Sequence, residues 1–211
     1  MSEPNQYEIN EGDNFFWLID KSGSMQTTDC VSPSGGKENR ITHIKPKVIE
    51  FITAGEKYDK DGTTLIIFGS DVDVIDGVTA AKAAEKVGKL TAIDGSTRTD
   101  LALAKAYELH KKGGYKQSVA FVATDGEPTG IENAQEKVKE VLRSIAKDVA
   151  SRGDEFGFAV SFLTVGKPSE ALDAFLKDLD DNLGAEIDIV DYKAFDELTT
   201  LEAAFAGALH D

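Results

Sequence analysis

The sequence predicts an α/β fold: a mostly parallel central sheet of about six strands, one of them a short antiparallel edge strand, with helices on both faces. Three observations carry this expectation. Four apolar runs, "FFWLI" (15–19), "TTLIIF" (63–68), "SVAFVAT" (118–124) and "FGFAVSFLTV" (156–165), are nearly continuous rather than alternating, which is how strands covered on both sides read. Helix-period segments separate them, and a regular alternation of strand and helix builds a parallel sheet. At 211 residues and 41% hydrophobic content, the chain is long enough for one domain with a substantial core.

Taken in order, "FFWLI" is the first strand, with Trp17 in the core, and it stops at Asp20. The segment 26–39, "QTTDCVSPSGGKEN", is polar, rich in Ser, Gly and Thr, and without period. It reads as a surface loop inserted before the first helix, of a length that is uncommon unless functional or mobile. Within it Cys30 is expected to be exposed and inert, having only Lys37 and Arg40 nearby to lower its pKa. A helix follows over 42–58, with His43 as a helix-start residue. After "TTLIIF", the run "DVDVIDGV" is a short strand paired antiparallel through a tight turn. Lys82, Lys86 and Lys89 form a solvated face. Thr99 and Asp100 are placed to cap a helix over 100–112. The helix over 130–152 puts Ile131, Val138, Val141, Leu142 and Ile145 largely on one face. A further helix spans 168–182, and "AEIDIVD" (185–191) is a weaker last strand near an edge. The whole of 1–211 forms one domain, with its core at about 14–210.

The formal net charge is −15. So large an excess of acid argues against nucleic acid and anionic membrane surfaces as partners, and leaves cations and basic protein surfaces. The one cysteine allows no internal disulfide, in keeping with a reducing compartment. The opening "MSEPNQYEIN" has neither a basic nor an apolar leader region, and no apolar stretch approaches the ~20 residues of a membrane span. A cytoplasmic, monomeric protein is expected.

Chemistry gathers at the strand ends. In open α/β sheets, ligands bind beyond the carboxyl ends of the strands, where the strand order reverses. The first strand ends "IDKSGSM", with Asp20, Ser22 and Ser24 on alternate positions. The third apolar run ends "ATDGEPTG", placing Asp125 at its tip, and "DGSTRTD" presents Thr97 and Thr99 at a helix entrance. These are all oxygen donors. The histidines, His43, His110 and His210, lie outside these motifs. Hard oxygen donors suit magnesium, calcium or manganese and suit zinc poorly. Because hydroxyls are neutral, an ion held mostly by them keeps much of its positive charge and can attract a further carboxylate. Glu127 is placed either to face this rim or to sit in solvent.

"DKSGSM", "GSTRTD" and "TDGE", in this order, resemble the metal-ion-dependent adhesion site (MIDAS) of von Willebrand factor type A domains. Their pattern is Asp-x-Ser-x-Ser after the first strand, a Thr in a second loop and an Asp after the fourth strand. "GSM" and "TDGEPT" also look like stand-alone intracellular bacterial members linked to tellurite and stress resistance. The resemblance spans nearly the whole chain and implies a Rossmann-like, doubly wound sheet. It implies that Ser22, Ser24 and Thr97 coordinate a divalent ion, Mg2+ or alternatively Mn2+ or Ca2+, while Asp20 and Asp125 act directly or through water. The last coordination position would go to a Glu or Asp of a partner protein, without catalysis. In the family the first helix usually begins soon after "SGSM"; here the segment 26–39 delays it.

Two other functions stay open at this stage. A magnesium-dependent phosphotransferase or phosphatase could use Asp20 as its nucleophile, although such enzymes need a second acid two residues on, where this chain has Ser22. A scaffold with a purely structural metal is the other. A serine hydrolase lacks its Gly-x-Ser-x-Gly elbow here, and neither a P-loop nor a dinucleotide fingerprint is present.

Overall fold

A computed structural model describes residues 8–154 and 156–209. Most of the stretch expected to lack a leader, and position 210 at the end of the expected core, lie outside these residues. The elements run β1 (Asn14–Asp20), β2 (Thr28–Val31), β3 (Lys37–Asn39), α1 (Arg40–Gly55), β4 (Thr63–Phe68), β5 (Val72–Val78), α2 (Ala80–Gly88), α3 (Thr99–Lys112), β6 (Ser118–Thr124), α4 (Ala134–Ser151), β7 (Phe158–Thr164), α5 (Glu170–Asn182), β8 (Val190–Ala194) and α6 (Leu201–Leu209). One sheet has the order β5–β4–β1–β6–β7–β8, parallel throughout except for β5, which pairs antiparallel with β4. The expected α/β class, the mostly parallel six-stranded sheet and its antiparallel edge strand are therefore present.

β1 is central because it is buried on both faces, and its side chains divide by the period of two. Phe15, Trp17 and Ile19 enter one core with Ile44, Val48 and Phe51 of α1 and Phe205 of α6. Phe16 and Leu18 enter the other, with Leu103 of α3, Leu142 of α4 and Leu176 of α5. The chain runs from β1 to β4 and β5 on one side, then returns to β6 and continues outward to β8. The strand order thus reverses at β1, and the crevice between the tips of β1 and β6 is the switch point at which such sheets bind ligands.

The structure departs from expectation in four places. The helix expected over 130–152 begins only at Ala134, so Ile131 precedes it instead of contributing to its apolar face. The segment 26–39 is not a featureless loop. It contains an antiparallel hairpin in which Cys30 pairs with Glu38 and Val31 with Lys37. Alternation explains this, since Cys30 turns inward while Val31 stays 71% exposed. Cys30 is accordingly buried rather than exposed, and burial, with Asp29 beside it, pushes its thiol up to about 11. The last strand lies later than "AEIDIVD": its parallel register with β7 begins at Val160 opposite Val190. Finally, Asp100 opens α3 but binds Arg98 at 2.8 Å through both its oxygens, and α3 has no side-chain cap.

His110 illustrates how the buried interior stores pH dependence. It is 2% exposed. Ser118 donates its hydroxyl proton to the Lys116 carbonyl and so accepts from His110 Nδ1 at 2.9 Å. Burial first, then the positive charge of Arg152, lowers the imidazole to about 4, with Asp148 opposing and Lys111 reinforcing. The unfolded chain titrates near ~6.5. Stability from the neutral ring is therefore intact above that value and is lost as the pH falls toward about 4. We expect the unfolding free energy from urea titrations to drop over this window by on the order of 3 kcal/mol or less. His110→Phe should flatten that part of the profile; equal slopes for both proteins would refute the assignment.

Candidate metal centre

Past Asp20 the chain stays extended through Ser22, which bridges Asp94 in parallel. A short 3-10 turn over Gly23–Gln26 follows, with Ser22 in extended conformation at its head. Asp20 is fully buried. Its Oδ1 accepts the Ser22 amide at 2.7 Å, and its Oδ2 accepts the Thr124 hydroxyl at 2.7 Å. Those two bonds tie the turn to the end of β6. The hydroxyls of Ser22 and Ser24 stand 3.0 Å apart, and Ser24 donates to Asp125 Oδ1 at 2.6 Å. Asp20, Ser22, Ser24 and Asp125 are thereby linked into one polar cluster, running from fully buried Asp20 to exposed Ser24.

Thr97 arrives by main-chain bonds. Its amide donates to the Thr129 hydroxyl and its carbonyl accepts the Thr129 amide, both at 3.0 Å, which fastens its loop to the one that follows Asp125. Thr97 is buried. On its other side the loop is held by Asp94. The Asp94 amide donates to the Lys21 carbonyl, and its carbonyl accepts the Gly23 amide at 2.8 Å. Ser70 and the Gly95 amide donate to the Asp94 carboxylate and hold it near 2, well below the usual range. Gly69 permits this approach, because a Cβ there would stand 2.5 Å from the Asp94 carboxylate.

Three contributors escaped the sequence reading. Thr124 and Asp94 carried only weak signals, a strand-end threonine and an Asp-Gly turn pair. The third is Arg40, in the first turn of α1, whose Nη1 donates to Asp125 Oδ2 at 2.8 Å. Nothing local in sequence announces that contact, since 85 positions separate the two. Glu127 accepts from Gln135 and Ser169, each at 3.2 Å.

Burial foremost, with the charge of Asp125 adding to it, pushes Asp20 up to about 6 against the bonds from Ser22 and Thr124. Among the described residues, no three His, Cys, Asp or Glu side chains gather as a metal cage. Any cation held here would therefore lean on hydroxyls. The donor set suits a hard ion: two cis ligands of an octahedral ion with bonds of about 2.1 Å stand about 3 Å apart, close to the separation of the two serine hydroxyls. Among the described residues, no helix is long and apolar enough to cross a membrane.

Three solved structures share the fold at low identity. The PilB minor pilin from Streptococcus sanguinis matches at 14% identity with a TM-score of 0.61, covering 97% of this chain and 61% of the pilin chain. The manganese-loaded TRAP protein from Plasmodium vivax matches at 16% identity and a TM-score of 0.58, covering 95% of this chain and 75% of that one. Proximal thread matrix protein 1 from the mussel byssus, with zinc occupying its MIDAS motif, matches at 16% identity and a TM-score of 0.59, covering 94% of this chain and 48% of that one. The chain thus spans less than two thirds of the pilin and about half of the byssus protein. No curated protein sequence matches significantly. The profile of the von Willebrand factor type A domain matches residues 15–128, from β1 through the Asp125 loop. The chain belongs to the von Willebrand factor type A domain family.

Proposed function

We propose that the protein is a metal-dependent interaction module, in which Ser22, Ser24 and Thr97 offer hydroxyls to one divalent cation. Asp20 and Asp125 hold that ion directly or through water. A Glu or Asp of a partner protein completes its coordination. The bound ion supplies an electrophilic centre for that carboxylate. The observation that carries this reading is the continuous polar cluster from Asp20 to Asp125 at the switch point of the sheet. Domains of this family are typically adhesion modules without catalysis, and two of the structural neighbours were solved with manganese or zinc.

The surroundings favour a protein as the ligand. Among the described residues, four large hydrophobic side chains are exposed, Val31 and Ile93 strongly so at 71% and 82%. Three of them, Val31, Ile93 and Leu101, sit on segments adjoining the site: the hairpin, the residue before Asp94 and the first turn of α3. Such apolar exposure around a polar centre suits protein contact. An Asp20-based phosphotransferase is disfavoured, because the position two residues on, where such enzymes need a second acid to hold the metal, is Ser22. Magnesium is the preferred ion in a cell, as a small ion that takes few carboxylates and keeps waters. A cytoplasmic monomer is consistent with the composition.

Manganese relaxation of water protons tests the open position. One Mn2+ per chain is expected to bind and to retain exchangeable water. Added acetate, a free carboxylate, is expected to displace that water. Absence of bound Mn2+ refutes the site, and bound Mn2+ insensitive to acetate supports a structural metal instead.

A further inference from the structure

Arg40 is a charged side chain at the site that the metal reading does not use. Its guanidinium is 11% exposed and forks between two acids. Nε and Nη2 donate to Asp29 at 3.0 and 2.6 Å, a bidentate pair, while Nη1 donates to Asp125 Oδ2 at 2.8 Å. The Asp125 side chain is fully buried, whereas Asp29 is 28% exposed and belongs to the hairpin. The fork is built in, not incidental. Gly166, at φ +71°, lies so close that a Cβ there would stand 2.6 Å from Arg40 Nε and 3.0 Å from Asp29 Oδ1. The Lys167 main chain also hydrogen-bonds Asp29. The Arg40 amide donates to the Thr27 carbonyl, and Asn39 caps α1 by accepting from the Thr42 amide, which sets the arginine at the helix entrance.

We infer that Arg40 is an internal cation that competes with the divalent ion for Asp125, and that Asp29 of the hairpin sets how strongly it does so. This rests on the metal reading above. The Ser24 hydroxyl takes one oxygen of Asp125 and Arg40 the other, so an ion that draws on this carboxylate draws on charge already shared with the guanidinium. The bidentate bond to Asp29 holds part of the arginine's charge away from Asp125. The hairpin is thereby wired to the affinity of the site, through Asp29, which the inserted segment itself supplies, and Arg40 at the head of α1. Arg40 acts here as a positioning and tuning residue. A site moderated in this way binds its ion less tightly but leaves it more strongly attracting toward an outside carboxylate.

The two acids give the inference opposite signs. In calorimetric titrations with Mn2+, Arg40→Gln is expected to tighten binding by about tenfold or more, since it removes a positive charge from beside the ion. Asp29→Asn is expected to weaken it by a few-fold, because the guanidinium then turns its whole charge on Asp125. In the double variant the Asp29→Asn effect should shrink, as Asp29 acts mainly through the arginine. Equal or weaker binding by Arg40→Gln, or an Asp29→Asn effect undiminished in the double variant, overturns the inference. If Arg40→Gln fails to fold, Asp29→Asn decides alone, and tighter or unchanged binding counts against. If wild type and every variant fail to bind Mn2+, the metal reading itself falls.

Discussion

Asp125→Ala is expected to weaken Mn2+ binding by about a hundredfold or more, with two causes acting in the same direction. The substitution deletes a buried carboxylate from the cluster. It also leaves the Arg40 guanidinium, now bonded only to Asp29, facing the cation without its counter-charge. Asp125→Asn separates these causes: its side-chain oxygen can still accept from Ser24, but the charge is gone. We expect Asn to recover little of the affinity if charge dominates. Calorimetry gives the affinities, and thermal melting of each variant without added metal shows that the fold is retained. An alanine variant that binds within about threefold of wild type, a difference worth well under 1 kcal/mol, would remove Asp125 from the site.

The second large effect concerns stability. Trp17→Ala is expected to cost about 3–5 kcal/mol and to lower the melting temperature by about 10 °C. The indole is 1% exposed, at the centre of β1. It meets Phe51 of α1 edge-on at 5.7 Å, Phe121 of β6 at 5.2 Å and Phe195 at 6.4 Å. Truncation opens a cavity among three rings fixed by three separate elements, and such rings cannot collapse together to fill it. Trp17 is the one tryptophan of the chain, so circular dichroism rather than tryptophan emission must follow unfolding. Below the new melting point the metal affinity should stay within a few-fold of wild type, because Asp20 is held by hydrogen bonds from Ser22 and Thr124 and not by the indole. A loss under about 1 kcal/mol would mean that the aromatic cluster is not the keystone it resembles.

How much of this could be read from sequence follows from the physics of each signal. Strands buried on both faces write themselves as apolar runs, so β1, β4, β6 and β7 were legible to within a few residues. Asp20 with Ser22 and Ser24, and Asp125 at the tip of β6, could be read as strand-end polar residues because the apolar runs stop there, and the structure links them by hydrogen bonds. The hairpin was not. Its strands are short and polar, and only Cys30 reports the inward face. Strand β8 was displaced because its start is set by pairing with β7, a tertiary constraint with no local trace. Arg40 was invisible as a partner of Asp125 for the same reason: sequence shows which residue types are present, but a contact across 85 positions needs the fold. Thr97 could be named as a candidate, yet what places it, paired main-chain bonds to Thr129 and the clamp of Asp94 on Ser70, belongs to the backbone.

The central position of β1 has a mechanical consequence. The turn that carries Ser22 and Ser24 continues directly from a strand locked on both sides, with five residue pairs in register against β4 and six against β6. A pull delivered to those serines acts along the strand axis, parallel to both ladders. Strands loaded this way are sheared rather than unzipped, so the bonds of two ladders must yield together instead of one at a time. The flanking edge strand β5, bonded on one side only, has no such support. A tether attached at the tip of β1 therefore loads two ladders at once, and tension passes directly into the centre of the sheet.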